Sequence, residues 1–281
     1  MDTILGRVNL VQIREDYLRG IQRLKDALYA CYAGLNGLTP EEYESHHHFV
    51  EIDPLTPAKL THGSVVPVAK AWLTNKFVLE LIDGTNSFLE RCYTACLLIG
   101  YHGRHFDKAE AQVVDGLTQK FHRDGLPRKL AILNDKFSVS SSWNGHIISL
   151  NDARACLVHR LGRVSEADTN GKGALVVRLW TSRIVAVHPD GREEIISGPR
   201  RVVAEWKTQL RSETIEKAFP LGGTIEFDLD DIFGCVLTWF VWSDSLVQSI
   251  GEHAKSKGAE INVLPQQQLK FGVELEGPEG T

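Results

Sequence analysis

The sequence predicts a mainly α-helical protein with a smaller α/β portion towards its C-terminus. Apolar residues recur at helical spacing through most of the first half of the chain. Residues 174–196 are instead rich in Val, Ile, Leu and Trp and contain a Pro-Asp-Gly turn, which is typical of short strands. The chain is 43% hydrophobic and 24% charged, which is the balance of a globular protein and excludes disorder of the whole chain.

The helices of the first half are predicted from periodicity and from their end signals. Between residues 11 and 35, apolar side chains recur every three or four positions with Arg and Lys between them. Thr39 before Pro-Glu-Glu, and Asp107 before a stretch rich in Ala and Glu, are typical N-caps. Gly100 breaks the long apolar region that precedes it. The predicted helices are 11–35, a short one after Thr39, one or two buried helices within 65–99, 107–121, and one from Leu126.

The second half begins with a small, polar loop at residues 138–145. Ser149 resembles the start of a capping box, and Gly162 is a typical stop, so a helix is predicted from Ser149 to Leu161. Strict alternation of apolar and polar residues over 224–229 predicts a half-exposed strand. The elements expected after residue 170 are strands 175–180, 184–188 and 193–196, a helix at 200–219, the strand 224–229, and a helix from Asp230 to about residue 257.

The predicted organisation is a helical domain at residues 1–165, an α/β portion at 172–262 and a frayed tail at 263–281. Asn170-Gly-Lys-Gly is the one linker-like stretch, so the two parts could share a core.

Several functional classes are not expected. No apolar run approaches the roughly 20 residues that span a bilayer, and the N-terminus lacks the features of a signal peptide. Five cysteines are scattered without a CxxC pair, which favours a reducing cytosol over disulfides or structural zinc. The nucleotide-binding motifs GxxxxGK[ST] and GxGxxG and the hydrolase motifs HExxH and GxSxG are absent. We therefore expect a cytoplasmic protein with no membrane, metal or cofactor partner.

Charge is distributed unevenly along the chain. The formal net charge is −5, but residues 154–211 contain eleven Lys and Arg against six Asp and Glu. Such asymmetry indicates either a surface for an anionic partner or a solvated face.

The most suggestive chemistry lies in the segment from Arg154 to His159. Arginine can hold a phosphate through two hydrogen bonds, and histidine exchanges protons near neutral pH. Five residues apart on a helix, the two side chains lie about 140° apart around the axis. They can therefore share one phosphate if the helix end loosens or if a second copy completes the site. A surface Arg and an interfacial His are the alternative interpretation.

The segment Leu150-Asn-Asp-Ala-Arg-Ala-Cys-Leu-Val-His-Arg-Leu-Gly-Arg-Val resembles the RxxxxH segment of the HEPN superfamily. The likeness is to bacterial members with an "R-x-C-hydrophobic-V-H" helix and a strand-containing C-terminal part. It covers about 15 specific residues and a loose helical layout over residues 1–165. The resemblance implies a metal-independent ribonuclease, of a defence or toxin type, with its site composite across a homodimer.

Carried over to this chain, the resemblance makes Arg154 and His159 the catalytic residues. Arg160, Arg163 and Asn151 are the predicted contacts to the substrate, which is RNA or another anionic nucleotide ligand. One departure matters: Ala155 stands where the family commonly has a polar residue, often Asn, that orients the site. The alternative is therefore a non-catalytic dimerisation or regulatory module that keeps the HEPN-like fold.

Four other groups of residues could also carry chemistry. The triplet 46–48 and the pair His102 and His105 could bind a metal or a phosphate, although exposed turns are the simpler interpretation. Cys156 lies three residues before His159 and could form a thiolate–imidazole pair. Alternating carboxylates on the 224–229 strand could bind a divalent metal in a third hypothesis, a hydrolase. The members of that acidic group are Glu226, Asp228, Asp230 and Asp231.

Overall fold

The computed structural model describes residues 8–46, 61–104, 106–195 and 207–259. Within these ranges the protein is mainly helical with a small antiparallel sheet, which confirms the predicted fold class. No helix in the described ranges is both long and apolar enough to cross a membrane. The helices are α1 (Leu10–Gly37), α2 (Pro40–His46), α3 (His62–Ile99), α4 (Lys108–His122), α5 (Leu126–Phe137), α6 (Asn144–Arg160), α7 (Glu166–Thr169) and α8 (Leu229–Ser256), and the strands are β1 (Ala174–Val187), β2 (Glu193–Ile195) and β3 (Lys207–Pro220).

The predicted helix starts of the first half are confirmed by their hydrogen bonds. The Glu42 backbone N–H donates to the Thr39 hydroxyl over 3.2 Å, and the Thr39 N–H donates to the Glu42 carboxylate over 2.9 Å. Asp107 and Glu110 form the same reciprocal capping box at the start of α4. The apolar region 65–99 lies within one helix, α3, rather than two.

Helices α1, α3 and α8 pack around a buried aromatic cluster. The rings of Tyr17 and Phe88 stack with centroids 4.4 Å apart, and Trp242 packs edge-on against Phe88. The Thr85 hydroxyl lies 2.8 Å from the Tyr17 hydroxyl and accepts a hydrogen bond of 2.6 Å from the Trp239 indole N–H. This buried network joins three helices that are far apart in the sequence.

The sheet differs from the predicted one in two respects. β1 is one strand, so the break expected at residues 181–183 is wrong. The helix predicted at 200–219 is also wrong over 207–219, because this stretch is β3. β1 and β3 pair without interruption from Ala174↔Pro220 to Val187↔Lys207, and β2 adds to the far end of β1. Helix-favouring residues in β3 are overridden because pairing with β1 satisfies the backbone of both strands.

The first half of β1 packs against both α6 and α8. The backbone N–H of Arg178 donates to the Ser149 hydroxyl over 2.9 Å, and that of Trp180 donates to the Thr238 hydroxyl over 2.7 Å. Ser149 therefore lies inside α6 and bonds to the sheet, so the prediction that it starts the helix is wrong. The helix begins five residues earlier, at Asn144.

The segment before α8 is extended but forms no ladder. Ile225 and Phe227 are buried and Glu226 is exposed, so the predicted alternation of burial is present. Its single bridge joins Thr224 to Arg163, and the predicted strand at 224–229 is wrong. Asp228, not Asp230, caps α8.

The hydrophobic core is continuous across the two predicted parts of the chain. It includes residues from Leu10 in α1 to Ala259 after α8. The predicted domain boundaries stay a prediction, but both parts contribute to this core.

Candidate functional site

Helix α6 carries Arg154 and His159 and is regular to Arg160. Leu161 then adopts a left-handed conformation with φ of 52°, and Gly162 follows with φ of 79°. The Gly162 N–H closes the helix end by donating to the Cys156 carbonyl over 3.2 Å. The helix stop is confirmed, and the Leu161 side chain at the helix end is 92% exposed. Because the helix does not loosen before Arg160, Arg154 and His159 stay about 140° apart around its axis.

Arg154 faces α3 rather than His159. Its guanidinium lies 3.5 Å from the Asp83 carboxylate, in a pair whose side chains are 33% and 59% exposed. A solvated pair of this length contributes little to stability and leaves other N–H groups of the guanidinium available. Asp83 was not predicted from the sequence, because it comes from α3, which is far from Arg154 along the chain.

His159 is exposed on the outward side of α6. In the described part of the chain it has no hydrogen-bond or ion-pair partner. The imidazole is therefore accessible to a ligand or to a second protein, but no carboxylate or carbonyl of the described residues orients it.

Arg160 forms an ion pair within the protein. Its Nε donates to Asp168 over 2.7 Å, and its Nη2 donates to the other oxygen of the same carboxylate. Asp168 also accepts from the N–H and the hydroxyl of Ser165, each over 2.8 Å. Burial opposes ionisation of Asp168, but these bonds outweigh it and hold the pKa of Asp168 below its usual value. Arg160, predicted as a substrate contact, instead fixes α7 to the end of α6.

The other two predicted substrate contacts lie on either side of this region. The Arg163 side chain is exposed just past the helix, while its backbone forms the bridge to Thr224. Asn151 is half-buried on the outward side of α6, one turn before Ala155. Asn151 lies three residues before Arg154 on α6 and so neighbours it on the helix surface, whereas Arg163 lies beyond the end of the helix.

The remaining sequence candidates do not form a reactive centre. Cys156 is fully buried, and burial and then Asp168 raise the pKa of its thiol, so the thiolate expected in a Cys–His pair is disfavoured. The acidic hypothesis is not supported, because Asp228 caps α8 and Asp231 binds Lys217. No cluster of metal-binding side chains occurs among the described residues. The side chains of 46–48 and His105 lie outside those residues.

A groove of about 350 Å³ lies between α1 and α3. Two of its lining residues, Gly20 and Gly84, have open space where a Cβ would lie. The charged groups at its edges are already paired: Asp16 with Arg91 at 2.9 Å, and Glu80 with Lys76 at 2.7 Å. The groove has the size of a small-molecule site, but the charged side chains among its described lining residues are all paired within the protein.

Comparison with known proteins identifies no relative: no family model, no curated protein and no solved structure matches the chain. In the described ranges the protein is mainly helical, and α6 carries Arg154 beside Asp83 of α3 and His159 exposed on its outward side.

Proposed function

We propose that the protein is a HEPN-like, metal-independent RNA-cleaving protein whose site forms between two copies of α6. Arg154 of one copy and His159 of the other would act on the same phosphate. The observation that carries this proposal is the pattern of residues on the outward side of α6.

The outward side of α6 has the spacing of a helix-pairing seam. Ile148, Asn151, Ala155 and Val158 follow one another at intervals of three, four and three residues. Ile148, Asn151 and Ala155 are half-buried, Ile148 against the hydrophobic core, and Val158 is 42% exposed. In heptad terms these are alternating a and d positions.

A parallel pair of α6 helices solves the geometric problem of the 140° separation. With the seam at a and d, Arg154 occupies a g position and His159 the e position five residues later. In parallel helix pairs, a g residue faces the following e residue of the partner. A two-fold pair therefore opposes Arg154 to the partner's His159 twice, whereas one chain cannot bring them together.

The paired side chains match the chemistry of RNA transesterification. The imidazole takes the proton of the ribose 2′-hydroxyl as its oxygen attacks the adjacent phosphorus. The guanidinium stabilises the extra negative charge on the pentavalent phosphorane. The bond from phosphorus to the 5′-oxygen then breaks and that oxygen takes up a proton, which leaves a 2′,3′-cyclic phosphate and a 5′-hydroxyl. Exposed Arg163 is available to contact the RNA backbone.

A second candidate function is a non-catalytic dimerisation module. The pairing of Arg154 with Asp83, and of Arg160 with Asp168, favours it because both cations already have partners. Ala155 favours it as well, since it cannot orient a phosphate by hydrogen bonding. In this alternative the same α6 seam pairs two copies but the exposed histidine has no catalytic role.

Complementation between two inactive variants tests the shared site. Labelled RNA is incubated in EDTA with the wild type, Arg154→Ala, His159→Ala, and the two variants after they have been unfolded and refolded together. Each variant alone should be inactive. The mixture should recover about a quarter of the wild-type rate, because half of the dimers are mixed and each of these has one intact site out of two.

The outcomes separate the candidates. Cleavage by the wild type without recovery in the mixture would place Arg154 and His159 in one chain and refute the paired site. No cleavage by a wild type that dimerises, with loss of the dimer in Val158→Glu, would favour the non-catalytic module.

A further inference from the structure

Strand β3 is an edge strand that is exposed over its first half. In the described ranges its hydrogen-bonded neighbour is β1, on one side only. Every residue from 207 to 214 is exposed, so neither face of this half is packed. An edge of this kind carries a row of backbone N–H and C=O groups that can pair with another strand.

The outward backbone groups of β3 can be identified from its pairing with β1. The N–H groups of Arg178 and Trp180 bond to helix side chains, so the even-numbered residues of β1 point away from β3. The register pairs even residues with even residues, as in Ile184↔Leu210. In an antiparallel pair, residues alternate between facing the partner and facing away. The N–H and C=O of Thr208, Leu210 and Ser212 therefore point to the open edge.

The usual devices that block an edge are weak here. The register of β1 and β3 is continuous over 14 pairs, so no bulge bends the strand away. Between residues 207 and 214 there is no proline. Only the charged side chains of Lys207, Arg211 and Glu213 remain to oppose pairing at this edge. Their order along the strand determines which partner strand can pair with it.

These charges are self-complementary in one antiparallel register. If two β3 strands meet at a two-fold axis through Leu210, Lys207 of each copy lies opposite Glu213 of the other. Arg211 then lies opposite Gln209, Thr208 opposite Ser212, and Leu210 opposite its own copy. Among registers centred on residues 209 to 214, this one alone opposes unlike charges without also opposing like charges.

We propose that the β3 edge pairs with β3 of a second copy, in the antiparallel register centred on Leu210. The pairing joins two three-stranded sheets into one six-stranded sheet through the outward groups of residues 208, 210 and 212. Leu210, which is 45% exposed in the single chain, becomes a cross-strand pair at the axis. This interface is independent of the α6 pairing, and two such two-fold interfaces together give a closed tetramer or an open chain of copies.

Charge reversal tests the register. Lys207→Glu and Glu213→Lys each place like charges opposite one another twice, whereas the double exchange restores unlike charges. Light scattering after size-exclusion chromatography measures the molar mass over a range of concentrations. Each single variant should lower the molar mass by a factor of two at concentrations where the wild type is assembled, and the double variant should regain the wild-type mass. Circular dichroism of each variant checks that the fold is kept.

A backbone variant tests the hydrogen-bonded edge itself. Leu210→Pro removes an N–H that points outward and has no hydrogen-bond partner among the described residues. It should halve the molar mass, whereas the matched variant Leu210→Val should keep the wild-type mass.

If Leu210→Pro, correctly folded, retains that mass, or if the wild type stays monomeric at every concentration, the proposal is refuted. If the two single variants, like the double exchange, keep the wild-type molar mass, the proposed register is refuted. Val158→Glu acts on the α6 seam alone, so failure of one interface is distinguishable from failure of the other.

Discussion

Replacement of Glu90 by glutamine should destabilise the protein strongly, because it leaves a buried lysine without a counter-charge. Lys129 of α5 has a side chain that is 2% exposed, and its ammonium lies 2.8 Å from the Glu90 carboxylate of α3. Asn86 accepts a longer hydrogen bond of 3.3 Å from the same ammonium. The Phe121 ring centroid is 5.6 Å away. These neighbours stabilise a cation but carry no negative charge.

The magnitude follows from what each variant leaves behind. In Glu90→Gln the amide oxygen, Asn86 and Phe121 still contact the ammonium, so the expected loss is about 3 kcal/mol, the lower end for breaking a buried pair. In Lys129→Met the remaining carboxylate is 21% exposed and keeps the 2.9 Å contact with His122. Because water reaches that carboxylate, this variant should lose about 1 kcal/mol. The double variant removes both charges and should lie within about 1 kcal/mol of the wild type.

Urea unfolding followed by circular dichroism measures these differences. The midpoints and slopes of the wild type, both single variants and the double variant give the four free energies of unfolding. The reasoning is refuted if Glu90→Gln costs less than Lys129→Met, or if the double variant is less stable than Glu90→Gln.

The same pair predicts a loss of stability in acid. Burial opposes ionisation of Glu90, but its bonds to Lys129 and His122 outweigh burial and hold the pKa of Glu90 below the ordinary value of 4.5. A carboxyl group with a lowered folded-state pKa stabilises the fold above the ordinary value, and this contribution disappears as the pH falls through the folded-state pKa. The free energy of unfolding of the wild type should therefore fall below about pH 4.5 more steeply than that of Glu90→Gln. Equal slopes in urea titrations at several pH values would contradict this.

Two further predictions concern the core and the cysteines. Thr85→Val should cost about 2–3 kcal/mol in urea unfolding, because the buried donors of Tyr17 and Trp239 lose their shared partner, whereas Thr85→Ser should cost about 1 kcal/mol. Cys31 is exposed and should react within minutes with a thiol reagent in the native protein, whereas the other four cysteines are buried and should react only on unfolding. Burial raises the pKa of Cys96 to about 12, so this thiol forms little of the reactive thiolate in the folded protein. More than one fast thiol in the native protein would be inconsistent with the packing.

The predictable parts of the fold are those set by neighbouring residues. Thr39 and Asp107 start their helices because a side chain three residues away completes a reciprocal pair of bonds. Gly162 ends α6 because it readily adopts a positive φ. The error at Ser149 has the same local origin: a serine before a polar stretch resembles a cap, and only the approach of β1 gives its hydroxyl an acceptor role inside the helix.

The candidate site was predictable as residues but not as an arrangement. The sequence gives the 140° separation of Arg154 and His159, since this follows from helix geometry alone. It does not reveal that Asp83 and Asp168 lie beside Arg154 and Arg160, because these carboxylates come from other elements. It also does not reveal which side of α6 faces outward.

By itself, the sequence determined the helical class, most helix ends of the first half and the segment with the most suggestive chemistry. These depend on interactions within a few residues, which periodicity and capping patterns record directly. The tertiary structure decided that residues 207–220 form a strand, that one core spans both halves, and that within the described ranges β3 has a strand neighbour on one side only. Long-range pairing and burial outweigh local preferences of a few tenths of a kcal/mol per residue, so no local pattern could reveal them.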